Sequence, residues 1–74
     1  MTKRHYNFFI KKGFSYNETA TDKYFYRRNK HDSDIKITVK ADNHFEFDVY
    51  DEIEQETVIN EPYLSFVEIK KRLK

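Results

Sequence analysis

The sequence predicts an α+β fold in the order α-β-β-β-α, a three-stranded antiparallel sheet with the N- and C-terminal helices packed on one face. Three observations carry it. Apolar residues recur at helical spacing near both ends of the chain. Two central runs alternate strictly between apolar and polar residues. Gly13, the only glycine, stands directly after the first helical run.

The first helix is expected over residues 3–12. Tyr6, Phe9 and Ile10 share a stripe, Phe8 lies off it, and Thr2 can cap the start. Lys11 and Lys12 suit the negative end of the helix dipole. Gly13 stands where a C-cap needs a left-handed residue, and Phe14 follows for the apolar contact back onto the last turn. Residues 15–22 are polar and read as loop, with room for a short strand at 14–16.

Three strands follow, at Lys23–Arg28, Asp34–Ala41 and His44–Ile53. In the second, Ile35, Ile37, Val39 and Ala41 share one face. In the third, Phe45, Phe47 and Val49 do. A loop of Asp42, Asn43 and His44 then pairs Val39 with Phe47 and Ile37 with Val49 inside, and Lys40 with Glu46 and Thr38 with Asp48 outside. In the first strand, Tyr24 and Tyr26 are expected to face the core, with Phe25 and Arg27 on the open side, because the opposite phase buries an arginine. This strand is expected at the sheet edge. Residues 51–60 read as an acidic connector, with a short strand at 57–59. Asn60 as N-cap and Pro62 in the first turn start the second helix, about 61–73, with Phe66, Ile69 and Leu73 on its inner stripe.

Seventy-four residues suit one small domain, 1–74, with a thin stability margin. No cysteine is present to form a disulfide or a thiolate metal site, so seven Phe and six Tyr must supply the core. The apolar run Phe8–Ile10 is too short for a signal-peptide core, and nothing reaches the roughly 18–20 residues of a membrane span. The expectation is a cytoplasmic protein with no membrane contact. Lys, Asn, Ile, Tyr and Phe make up 34 residues while Gly, Ala, Pro and Arg make up 8, a bias expected of an AT-rich genome such as a low-GC bacterium, its phage or a mobile element.

The net charge of +1 hides a segregation. Residues 1–41 carry +6, residues 42–69 carry −9 with no Lys or Arg, and residues 70–74 carry +4. The strand pairing above sets basic against acidic residues, so local neutralisation is favoured over two opposed charged faces.

The element order and the helix end Ile10-Lys11-Lys12-Gly13-Phe14 resemble in outline the double-stranded-RNA-binding-like folds, including bacterial toxins of the HicA type. Those toxins place a catalytic histidine beside a Gly-Ser step near the first strand. The matching stretch here, Thr21-Asp22-Lys23-Tyr24, has none, so the resemblance carries fold and not RNA cleavage.

No catalytic, cofactor or metal site is expected. His5, His31 and His44 lack metal-ligand spacing, and His31-Asp32-Ser33-Asp34 reads as a turn. One glycine makes no phosphate loop. Glu52, Glu54 and Glu56 could act as acid and base but read as an acidic connector. The expectation is therefore a non-enzymatic accessory module that binds an unidentified protein, as a monomer or a homodimer paired through its edge strand. The acidic surface for such a partner would be Asp51, Glu52, Glu54 and Glu56. The alternative is an RNA- or single-stranded-DNA-binding surface of Phe25, Arg27, Arg28, Lys30, His31, Lys36 and Lys40, stacking bases and holding phosphates.

Overall fold

The chain opens with a helix whose two ends are closed by local chemistry. In the computed structural model, which describes residues 1–29 and 32–74, α1 spans Lys3–Lys11 and Thr2 Oγ1 accepts a hydrogen bond from His5 N–H at 3.2 Å. At the far end Gly13 has φ +89°. Gly13 N–H donates to Ile10 C=O and Phe14 N–H to Phe9 C=O, both at 3.1 Å. This is the Schellman closure, and the Phe9 and Phe14 rings complete it edge to face at 6.0 Å. The buried residues of α1 are His5 and Phe9. Tyr6 and Ile10, expected on the inner stripe, are 37% and 41% exposed.

The sheet corrects the expected fold class. It has five strands, not three: β1 Ser15–Glu18, β2 Lys23–Arg28, β3 Ser33–Val39, β4 His44–Asp51 and β5 Glu56–Ser65, followed by α2 Phe66–Arg72. All neighbours are antiparallel and the spatial order is β1-β2-β3-β4-β5, an up-and-down meander. β1, four mostly polar residues, shows in the sequence only as the possible short strand at 14–16. β5 shows only as the short strand at 57–59, because two irregularities in its pairing with β4 break the alternation.

Four finer expectations change with it. The phase of β2 is reversed. Phe25 is fully buried opposite Ile37, and Tyr24 and Tyr26 point to the open face. Arg27 does share the inner face, but at its rim. Its guanidinium donates to Lys12 C=O at 2.6 Å and lies 4.6 Å from the Phe14 ring centroid. A long side chain can bury its stem and keep its head paired, so the expected penalty is not incurred. β2 is also interior, so it offers no edge for a homodimer. The β3–β4 register is displaced by two residues, pairing Ile37 with Phe47 and Val39 with Phe45. The turn is then centred on Asp42 and Asn43, both at φ 57°, a conformation Asn and Asp tolerate better than most residues. Finally, Asn60 and Pro62 belong to β5. α2 starts five residues later than expected, at a capping box in which Ser65 Oγ accepts from Glu68 N–H at 3.2 Å and Glu68 Oε1 accepts from Ser65 N–H at 3.0 Å.

The core lies between the sheet and the two helices. Phe9, Phe25, Phe45, Ile37 and Ile69 are its fully buried side chains, joined by Phe14, Ile35, Phe47, Leu64 and Leu73. Phe9 touches Phe25 and Phe45 of the sheet at 4.6 and 5.4 Å, and Phe66 of α2 at 6.0 Å. Among the described residues no helix is long and apolar enough to cross a membrane.

Candidate functional site

Two regions carry the chemistry. One is the groove between α1 and α2, on the side away from the sheet. The other is the uncovered face of the sheet.

The groove encloses about 530 Å³ and is lined by Lys3, Arg4, Asn7, Phe8, Lys11, Phe66 and Lys70. Helical geometry explains the lining. Lys3, Asn7 and Lys11 are four residues apart and form one stripe beside Phe8, while the turn of α2 that presents Phe66 presents Lys70 four residues on. Phe8 and Phe66 meet edge to face at 5.2 Å and make the floor. Arg4 and Lys70 lie 5.9 and 5.4 Å from the Phe66 ring, and Lys12 lies 5.7 Å from Phe8. Four cations line the groove and no carboxylate does. The first turn of α1 likewise has no acidic residue. The helix dipole disfavours cations there by about 0.3–1 kcal/mol each, so helix stability does not ask for Lys3 and Arg4.

The open face is mixed in charge. Tyr24, Tyr26, Asp34, Lys36, Thr38, Glu46, Asp48, Tyr50 and Asn60 follow from the pairing as its residues. Lys40 pairs with Glu46 at 3.5 Å, and Arg28 pairs with Glu52. Lys36 stands opposite Asp48 and holds its ammonium 4.7 Å from the Tyr24 ring. Asn60 donates to Glu46 and Asp48. On the helix side, Arg72 makes two 2.7 Å hydrogen bonds to Glu61, which hold the Glu61 carboxyl below the usual range.

The residues expected to form a nucleic-acid surface do not form one face. Phe25 is core, Arg27 lies on the helix side, and Arg28, Lys36 and Lys40 lie on the open face beside acids or a ring. Lys30 and His31 fall outside the described residues. The expected acidic surface also does local work. Asp51 Oδ1 accepts from Ile53 and Glu54 N–H at 2.9 and 3.2 Å, shaping the β4–β5 turn, and Glu52 holds Arg28. Glu54 and Glu56 remain exposed near that turn. The groove was missed by the sequence reading. Its partial signal was the cationic stripe of α1, which carries no acid.

Two histidines are taken up by packing. His5 is 9% exposed and packs tilted against Phe66 at 4.1 Å between ring centroids, and meets Phe45 edge to face. Burial, then the N-terminal amine and Arg4, hold it below its ordinary pKa. His44 stacks flat on Tyr63 at 4.1 Å, and its Nδ1 lies 2.8 Å from Asp42 C=O. Among the described residues no three His, Cys, Asp or Glu gather at metal-binding distance.

Comparison with known proteins returns no match to a family model, a curated protein or a solved structure.

Proposed function

We propose that the protein is a non-enzymatic binding module that holds the phosphate backbone of a nucleic acid in the α1–α2 groove. The observation that carries this is the lining of that groove, four cations and no carboxylate over an aromatic floor. Lysine and arginine neutralise phosphates and release their counterions, a term that needs no base-specific contact. Asn7 adds a side chain that can donate to a phosphate oxygen. Cations kept in the first turn of α1, against the dipole, fit a surface that an anion completes.

The expected protein partner for the acidic segment has less support. Asp51 and Glu52 are engaged within the chain, which leaves Glu54 and Glu56. The edges are also poor templates for strand pairing. β1 is four residues long, and β5 is bulged and contains Pro62.

The test is an amide-resolved NMR titration with duplex and single-stranded oligonucleotides at two salt concentrations. Shifts are expected on residues 3–11 and 66–70, fading with salt. Lys11→Gln and Lys70→Gln should each weaken binding and lower the salt slope by roughly 0.7–0.9. Shifts centred instead on Arg28, Lys36 and Lys40 would move the site to the open face. No salt-sensitive shift would remove the nucleic-acid reading.

A further inference from the structure

On the open face, a cavity of about 450 Å³ is lined by Tyr26, Asp34, Lys36, Asp48, Tyr50 and Thr57. The strand pairing builds it. Tyr50 stands directly opposite Asp34 across β3–β4, and Tyr26 and Asp48 flank Lys36 on either side. Both tyrosines keep more than a third of their surface exposed, 37% and 38%. The volume lies within the range of small-ligand sites.

The charges in this cavity are unevenly matched. Arg28 is the cross-strand neighbour of Asp34, yet its guanidinium goes to Glu52. Lys36 is the only cation of the lining, and it leans over Tyr24, which lies outside the cavity. Asp34 Oδ1 is out of contact with solvent and has no hydrogen-bond partner among the described residues, while burial, and then the closeness of its hydroxyl to the Asp34 carboxylate, raises the Tyr26 pKa. A buried carboxylate oxygen left without a donor is costly, and native proteins satisfy nearly all such atoms. Asp48 accepts a bond from Asn60, and its carboxylate remains at the cavity wall.

The geometry points to a binding site for the guanidinium group of an arginine side chain presented by a partner protein, stacked on Tyr26 and Tyr50 and paired with the carboxylates of Asp34 and Asp48. A guanidinium suits the lining better than an anion or an apolar group. It is planar, stacks on aromatic faces, and offers five donors in a fork that matches a carboxylate. An ammonium group offers the charge without the plane. The site is on the opposite face of the sheet from the α1–α2 groove, uses the opposite charge, and does not depend on it.

The experiment is an NMR titration of the intact protein with N-acetyl-argininamide, alongside N-acetyl-lysinamide, tetramethylammonium and the neutral N-acetyl-glutaminamide. The expected result is saturable shifts on Tyr26, Asp34 and Tyr50 with the arginine probe in the millimolar range, about 4 kcal/mol or less of binding. Asp34→Asn should weaken this by about tenfold, the scale of a lost charge-assisted pair. Glu54→Gln, on the β4–β5 turn, should leave it unchanged. Tyr50→Leu repeats the test without touching a charge, and the α1 and α2 resonances of each variant report whether the fold is intact. Equal response to tetramethylammonium would replace the arginine by a free organic cation and overturn the assignment. Shifts that do not saturate, or that survive both Asp34→Asn and Tyr50→Leu, would overturn the site itself.

Discussion

The two faces of this sheet are built from adjacent residues of the same strands and end in opposite states. The inner face of β2, β3 and β4 places Phe25, Ile37 and Phe45 out of water entirely. The outer face, one residue along each strand, carries Tyr26, Lys36 and Glu46, in a mixture of carboxylates and cations. The difference lies in what covers each face. α1 and α2 cover the first and turn their own cations outward into the groove. Among the described residues, no element covers the second. Charge segregation in the sequence is therefore resolved on one side and left standing on the other. Glu46 and Glu52 pair with Lys40 and Arg28 on the open face and Glu61 takes Arg72 of α2, while Lys3, Arg4, Lys11 and Lys70 face the groove.

The largest test of this contrast is a pair of substitutions on adjacent residues. Phe25→Ala should cost about 3–5 kcal/mol, since it empties a fully buried site between Phe9 and Ile37. Tyr26→Ala should cost about 1 kcal/mol or less, as expected of a partly exposed position. Urea unfolding measures both, and a reversal would restore the opposite phase for β2. Next in size is Gly13→Ala. A side chain there meets Arg27 Cδ at an ordinary 3.5 Å, so space is not the objection. The positive φ is, and it should cost about 1–2 kcal/mol, with amide protection lost first at the end of α1. The smallest is a pH effect. Native His5 is held below its ordinary value, chiefly by burial, so protons favour the unfolded chain. Its contribution to stability is complete above about pH 6.5 and is lost as pH falls below that. His5→Phe should flatten the stability profile between about pH 5 and 7. An unchanged profile would mean that His5 titrates as it does in the unfolded chain.

Much of the helix-covered side was legible in the sequence because its signals are local. Thr2, Gly13 and Phe14 fix α1 within a few residues, and the odd-numbered apolar residues of β3 and β4 name their buried face. Where signals competed, tertiary pairing decided. The aromatic run 24–26 offers bulky residues to both faces, so alternation alone could not choose its phase. The nearby Lys12 carbonyl and Phe14 ring made the arginine-inward choice tolerable. Asn60 and Pro62 read as a helix start, but pairing of Glu61 and Leu64 with β4 keeps them in the sheet and the helix begins instead at the Ser65–Glu68 capping box. Neither proposed site was visible as a motif. The groove joins residues more than fifty positions apart, and the open-face cavity depends on a register that parity constrains but does not fix.

The groove walls come from two segments far apart in sequence, residues 3–11 and 66–70, with five strands threaded between them. A ribosome making this protein releases Lys3 and Arg4 well before Lys70, with the whole sheet in between. Over that interval the cationic helix exists without its facing wall, and a polyanion meets half a site. The complete cleft is thus also a certificate of finished folding, because no fragment that lacks α2 can present it.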